Sequence, residues 1–233
     1  MIDRTFIEKI EEMTGPKTVD TVFGTYSDKR LYRIEDELVD TISLSSLSGL
    51  ATMIKQEMND FNIPLFVRVS SPEKVDVLGA VRDDMQREMP YTAIAKFIGF
   101  DYDRYMSIEN MIIGLKSRFA PTEDRDYLVQ LLGNITDQQS VQTKDDGITQ
   151  SATVKSGIQL VGEQRIKPIV SLMPYRTFLE VEQPESDFLI RLKDGSAALF
   201  EADGGAWERE AVKNVADKLR ELLANVQNVH IIE

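Results

Sequence analysis

The densest run of chemically capable side chains is Met173-Pro174-Tyr175-Arg176-Thr177-Phe178-Leu179-Glu180-Val181-Glu182-Gln183-Pro184. It combines aromatic rings, a guanidinium and two carboxylates between prolines. In a β-strand Glu180 and Glu182 project to one face. Two carboxylates so placed can share a hard divalent cation, the pattern of a metal-dependent nuclease or hydrolase. The competing reading is structural: a solvated strand face, or Arg176 paired with Glu180 or Glu182 in a buried network that fixes the strand. In a further reading Tyr175 and Arg176 line a recognition surface. Trp207 follows Gly204-Gly205. It is either a ligand platform or the anchor of a C-terminal helix, the glycines letting the chain turn sharply into it. Two other acid pairs, Asp145-Asp146 and Asp101 with Asp103, are weaker candidates, and the first reads as a turn.

Much other chemistry is excluded by what is missing. The 233 residues contain no cysteine and a single histidine, His230. A structural zinc site therefore has too few soft ligands, and disulfides, Cys–His catalysis and Cys-ligated iron–sulfur clusters are impossible. Phosphate-binding, dinucleotide-binding, metalloprotease and nucleophile-elbow signatures are absent. Ser71-Pro72-Glu73-Lys74 matches S-x-x-K, but it reads as a turn between strands. His230 in Val-His-Ile-Ile reads as a structural or edge residue. The expectation is that the chain has no cofactor, no metal and no catalytic residue, with Tyr175, Arg176, Glu180, Glu182 and Trp207 as binding candidates.

The formal charge is −12. Such a chain repels phosphate backbones, so nonspecific nucleic-acid binding is not expected. The acids are interleaved with basic residues, which makes the charge mainly a solubility feature. No run approaches the ~18 apolar residues of a membrane span. Met1 to Phe6 has no basic region followed by an apolar stretch. The expected setting is the reducing cytoplasm of a host cell, with no membrane partner.

These candidates must be positioned by recognisable elements. Residues 2–13 carry Phe6, Ile7, Ile10 and Met13 at helical spacing, and Gly15-Pro16 ends them. Residues 23–26 and 29–34 alternate as two short strands around Ser27-Asp28, and 38–42 is strand-like. Ser45 or Ser46 caps a helix over 45–59 with Leu47, Leu50, Ala51, Ile54 and Met58 inward. Residues 65–70 and 75–78 form paired strands, with a third near 91–96. Ser107 and Thr122 cap helices over 108–119 and 123–132, and Gly133 stands at the C′ position of the second. Asp145-Asp146-Gly147 and Asp194-Gly195-Ser196 each mark a hairpin. Residues 166–181 supply further strands. Trp207 to Val226 is a helix with Trp207, Ala211, Val212, Val215, Leu219, Leu222 and Leu223 on one side, and 229–232 is a final strand.

The Tyr-Arg-Thr-Phe stretch together with Ala202-Asp203-Gly204-Gly205-Ala206-Trp207 resembles uncharacterised proteins of tailed phages and prophages of Gram-positive bacteria. The order of elements agrees: an extended segment at 65–78, a helix at 107–119, the hairpin at 145–150, then the Tyr-Arg stretch. The layout over 45–225 is similar to the YfdQ-like prophage family, whose function is unknown. The resemblance implies a phage or prophage origin and an intracellular, non-virion role. It carries no catalytic residue.

The expected fold is α+β, a mainly antiparallel sheet with four packed helices, in a core over 41–233 preceded by an N-terminal helix and extended arm over 1–40. The leading function is a non-catalytic oligomeric protein acting by self-assembly and binding. Polar, Gln-rich strands over 138–164 would expose unpaired edges, and another subunit is a common cover for these. A host or phage protein is the other expected partner. The alternatives are the carboxylate-metal nuclease and an acidic anti-defence inhibitor.

Overall fold

The computed structural model describes residues 3–30, 38–60, 64–83, 85–136, 140–145, 150–156 and 159–233. The chain divides into two compact units, Met1–Leu38 and Val39–Glu233. The first holds α1 (Arg4–Met13) and the antiparallel pair β1 (Thr18–Thr21) and β2 (Gly24–Ser27). The expected strand at 23–26 is present as β2, and it pairs with β1 through a turn at Val22-Phe23. The Thr21 hydroxyl closes this turn, donating to the Gly24 carbonyl and accepting from Phe23 N–H. Gly24 takes φ 134°, a left-handed value that favours glycine. Residues 31–34 lie outside the described residues. None of the α1 side chains is buried.

The second unit runs β3 (Ile42–Leu44), α2 (Leu47–Asp60), β4 (Leu65–Ser71), β5 (Lys74–Leu78), β6 (Tyr91–Ile94), β7 (Met106–Ser107), α3 (Ile108–Arg118), α4 (Glu123–Thr136), β8 (Ser140–Asp145), β9 (Gln150–Ser156), β10 (Gln159–Arg165), β11 (Ile169–Leu172), β12 (Ser186–Lys193), β13 (Ser196–Glu201), α5 (Ala206–Leu222) and β14 (Val229–Ile232). One sheet has the order β14-β4-β5-β6-β3, another β11-β12-β13-β7, and a third β10-β9-β8. Pairing is antiparallel except for β14 with β4 and β3 with β6. The fold is α+β.

Helices α2, α3 and α4 form where an apolar stripe follows a capping side chain. Ser46 Oγ accepts from Gly49 N, Ser107 Oγ from Asn110 N and Thr122 Oγ1 from Arg125 N. Helix α4 runs through Gly133 to Thr136, past its expected end, because Leu132 and Ile135 continue the buried stripe. The Asp194-Gly195 turn takes φ values of 46° and 73°, both left-handed, and closes β12 onto β13. In the other Asp-Gly hairpin β8 and β9 pair antiparallel up to Asp145 opposite Gln150, and Asp146-Gly147 lies outside the described residues.

The side chains collect into two cores. The first joins α2, β4, β5, β6 and α5 through residues such as Leu50, Ile54, Val67, Val77 and Leu219. The second joins α3, α4, β11, β12 and β13 through Met111, Leu115, Leu128, Phe188 and Leu199. Gly114 matters to the second, since a Cβ there would stand 2.7 Å from the Phe100 ring.

On β5, Val75 and Val77 enter the first core while Asp76 between them is 1 % exposed. Its carboxylate accepts from the Ser70 and Thr92 hydroxyls at 2.7 and 2.9 Å and pairs with Arg68 and Lys74, each at 3.1 Å. Burial opposes the charge, but these four partners outweigh it and hold the carboxyl at about 2, below the ordinary 3.8. A depressed carboxylate contributes stability that is complete above its unfolded pKa and is lost as pH falls through the folded one. Urea unfolding should therefore show a loss of about 2 kcal/mol between pH 4 and pH 2 from this group. Asp76→Asn should flatten that part of the profile.

Candidate functional site

The expected strand over 166–181 ends at Leu172, and residues 173–185 form an irregular connector between β11 and β12. Glu180 and Glu182 therefore do not share a strand face. Local side-chain-to-backbone bonds replace the ladder here. The connector starts against α3: Ala120 N donates to the Met173 carbonyl at 2.8 Å, and Tyr175 N to the Arg118 carbonyl at 2.9 Å. It then crosses to the first core. The Thr177 hydroxyl donates to the Pro72 carbonyl, and Phe178, 1 % exposed, packs into that core.

Gln183 closes this buried loop. Its carbonyl accepts from Arg176 N at 3.1 Å and Thr177 N at 3.3 Å, and its amide donates to the Phe178 and Val181 carbonyls at 3.0 and 3.1 Å. One side chain thus bonds four backbone groups of this irregular segment, three of which have no other partner among the described residues, since the Phe178 carbonyl also accepts from Val181 N at 3.2 Å.

Glu180 reaches α2 instead of Arg176. Its carboxylate accepts from Leu47 N and Ser48 N, the latter at 2.9 Å. It supplies negative charge where the helix dipole is positive. Burial raises its pKa, and the hydrogen bonds from Ser48 and Leu47 more than offset this, leaving the carboxyl below its usual range. Glu182 is exposed, and its backbone carbonyl accepts from Asn214 of α5.

Arg176 pairs with neither expected glutamate. Its side chain is 7 % exposed and donates to Glu201 at 2.7 Å and to the Ser186 hydroxyl. Its guanidinium carbon lies 3.7 Å from the centre of the Trp207 ring and 5.9 Å from that of Phe188. Burial lowers its pKa, opposed by Tyr102, Glu201 and Asp203. Tyr102 stacks on Phe188 at 5.4 Å, and burial raises its own pKa. Asp203 accepts from Gly205 N and Trp207 N, capping α5, with Gly205 at φ 82°. Arg176 and Trp207 are thus brought together, Tyr175 is half-buried beside α3, and Glu180 and Glu182 face other elements. The node fastens β12, β13 and α5. Within it, among the described residues, Arg176 Nε has no hydrogen-bond partner.

A cavity of about 230 Å³ lies elsewhere, at the β3 end of the first sheet. Asp40, Glu57 and Glu88 line it together with Ile42, Met58 and Tyr91. The Tyr91 hydroxyl donates to Glu57 Oε1 at 2.6 Å; burial, with Glu57 beside it, pushes the phenol up to about 12. No sequence motif marks these residues. The only available signal was an acid, Glu57, adjoining the apolar stripe of α2.

Comparison with models of protein families, with curated proteins and with solved structures finds no match to this chain.

Two substitutions separate the structural duties of the connector. Glu180→Ala removes the charge at the α2 N-terminus and should cost about 1 kcal/mol in urea unfolding. Arg176→Ala strips a buried ion pair and the ring contact and should cost about 3 kcal/mol, with a red-shifted Trp207 emission. A stability within error of wild type for Arg176→Ala would reassign the arginine from a fastening role to a ligand-facing one.

Proposed function

We propose that the protein acts by self-assembly and binding, as a non-catalytic oligomer of phage or prophage origin working inside a host cell. The observation that carries this reading is the sheet β10-β9-β8. Its outer strands, β8 and β10, pair with no further strand among the described residues. Unpaired edges are templates for strands of another chain. The register supports an ordered ladder along the whole central strand: Val141 stands opposite Val154 and Thr143 opposite Ala152, and β10 pairs from Gln159 to Arg165 with a shift between Leu160 and Gly162. The phage origin rests on the resemblance of the Tyr-Arg-Thr-Phe and Asp-Gly-Gly-Ala-Trp segments. Arg176 and Glu180 are committed to internal partners, so the reading places the binding surface outside the connector.

Light scattering on the size-exclusion peak should give a discrete multiple of the 26.4 kDa chain mass. Gln142→Lys combined with Gln164→Lys places a charge on each outer strand and should shift the assembly to monomer with unchanged Trp207 emission. A wild-type monomer at micromolar concentration would overturn the reading.

A further inference from the structure

We propose that the cavity beside β3 takes a basic side chain, Lys or Arg, carried by an extended segment of a partner protein that adds to the open edge of β3. Strand β3 ends its sheet, and among the described residues no strand pairs with its outer side. Its inner side is set by the register with β6, which puts Ile42 opposite Tyr91. Both residues line the cavity, as does Asp40, two positions before Ile42. Residues opposite one another in a ladder point to the same face. A segment added outside β3 therefore brings the residue opposite Ile42 to the cavity mouth.

The lining selects what that residue is. Met58, Ile42 and the Tyr91 ring supply an apolar wall for an aliphatic stem. At the charged end, Glu88 is already paired with Arg82 at 3.0 Å. Glu57 and Asp40 have no ion pair among the described residues. Glu57 Oε1 is taken by the Tyr91 hydroxyl, which fixes the carboxylate and leaves its second oxygen to accept a donor. Two uncompensated carboxylates above an apolar floor match a cation on a hydrocarbon stem. The volume of about 230 Å³ is below the range usual for sites that enclose whole small molecules and suits one long side chain. The net charge of −12 adds long-range attraction for a basic partner. This is strand addition with a specificity pocket, backbone bonds supplying affinity and one side chain supplying choice.

The test uses the full chain and acetyl-Thr-Val-Lys-Val-Thr-amide, with norleucine in place of lysine as the uncharged control, followed by titration calorimetry. The lysine peptide should bind about tenfold tighter than the control. Glu57→Gln combined with Asp40→Asn should abolish that difference. Gln keeps an acceptor for the Tyr91 hydroxyl, and an unchanged urea midpoint verifies the fold. Equal affinity of the two peptides, a preference that survives in the double variant, or no binding at millimolar peptide would each overturn the proposal. Binding of n-butylammonium without binding of the peptide would overturn it in favour of a small amine. Because β3 is remote in sequence from β8–β10, a monomeric wild type that still prefers the lysine peptide would sink the assembly reading and leave this one standing.

Discussion

An irregular segment that enters a core is tolerable only when its buried backbone polar groups find partners, and in residues 173–185 those partners come largely from Gln183. The amide carbonyl and amide nitrogen face opposite halves of the loop, holding Arg176 and Thr177 on one side and Phe178 and Val181 on the other. Without that closure the Arg176 and Thr177 N–H groups and the Val181 carbonyl would lose their partners, each a cost of about 1–3 kcal/mol where the group is buried. The closed loop lets Phe178 enter the first core while Met173 and Tyr175 remain bonded to the end of α3 beside the second. The two cores thereby share one connector.

The rest of the connector uses the same device at its margins. Glu180 and Asp203 satisfy the first turns of α2 and α5, and each does so from outside its helix. Arg176 lies between Glu201 and the Trp207 ring, so the start of α5 is tied to β13 through a single guanidinium. Its planarity matters: the fork bonds Glu201 and Ser186 while the flat face stacks on the indole, which an ammonium cannot do. A segment that looks like a site on residue types alone is thus occupied in fastening the molecule. Among the described residues, the outer sides of β3, β8 and β10 pair with no further strand.

Local patterns were readable wherever the physics is local. The hydroxyl caps at Ser107 and Thr122, the stripe of α5 and the Asp194-Gly195 turn each depend on residues within a few positions of one another. The pairing of β4 with β5 belongs to the same class. The bond from Ser48 to Glu180 does not, because it spans 132 positions. Nor does the parallel pairing of β14 with β4, which no turn specifies. The density of the Met173–Pro184 stretch was a true signal of importance, but residue types could not tell a cation site from a helix cap. The choice was made by Pro174, Pro184 and Gln183, which favour a closed loop over a ladder. For the cavity at β3 the sequence offers only Glu57 beside the apolar stripe of α2, since Asp40, Glu57 and Tyr91 meet only through tertiary packing.

If the connector makes the two cores one cooperative body, native-state hydrogen exchange under increasing urea will show it. In the wild type, the buried amides of Val67 and Ile54 in the first core and of Leu115 and Phe188 in the second should open with the same free energy. In Gln183→Ala the two sets should separate. Independent opening of the cores in the wild type, or an unchanged pattern in Gln183→Ala, would mean that the connector does not couple them.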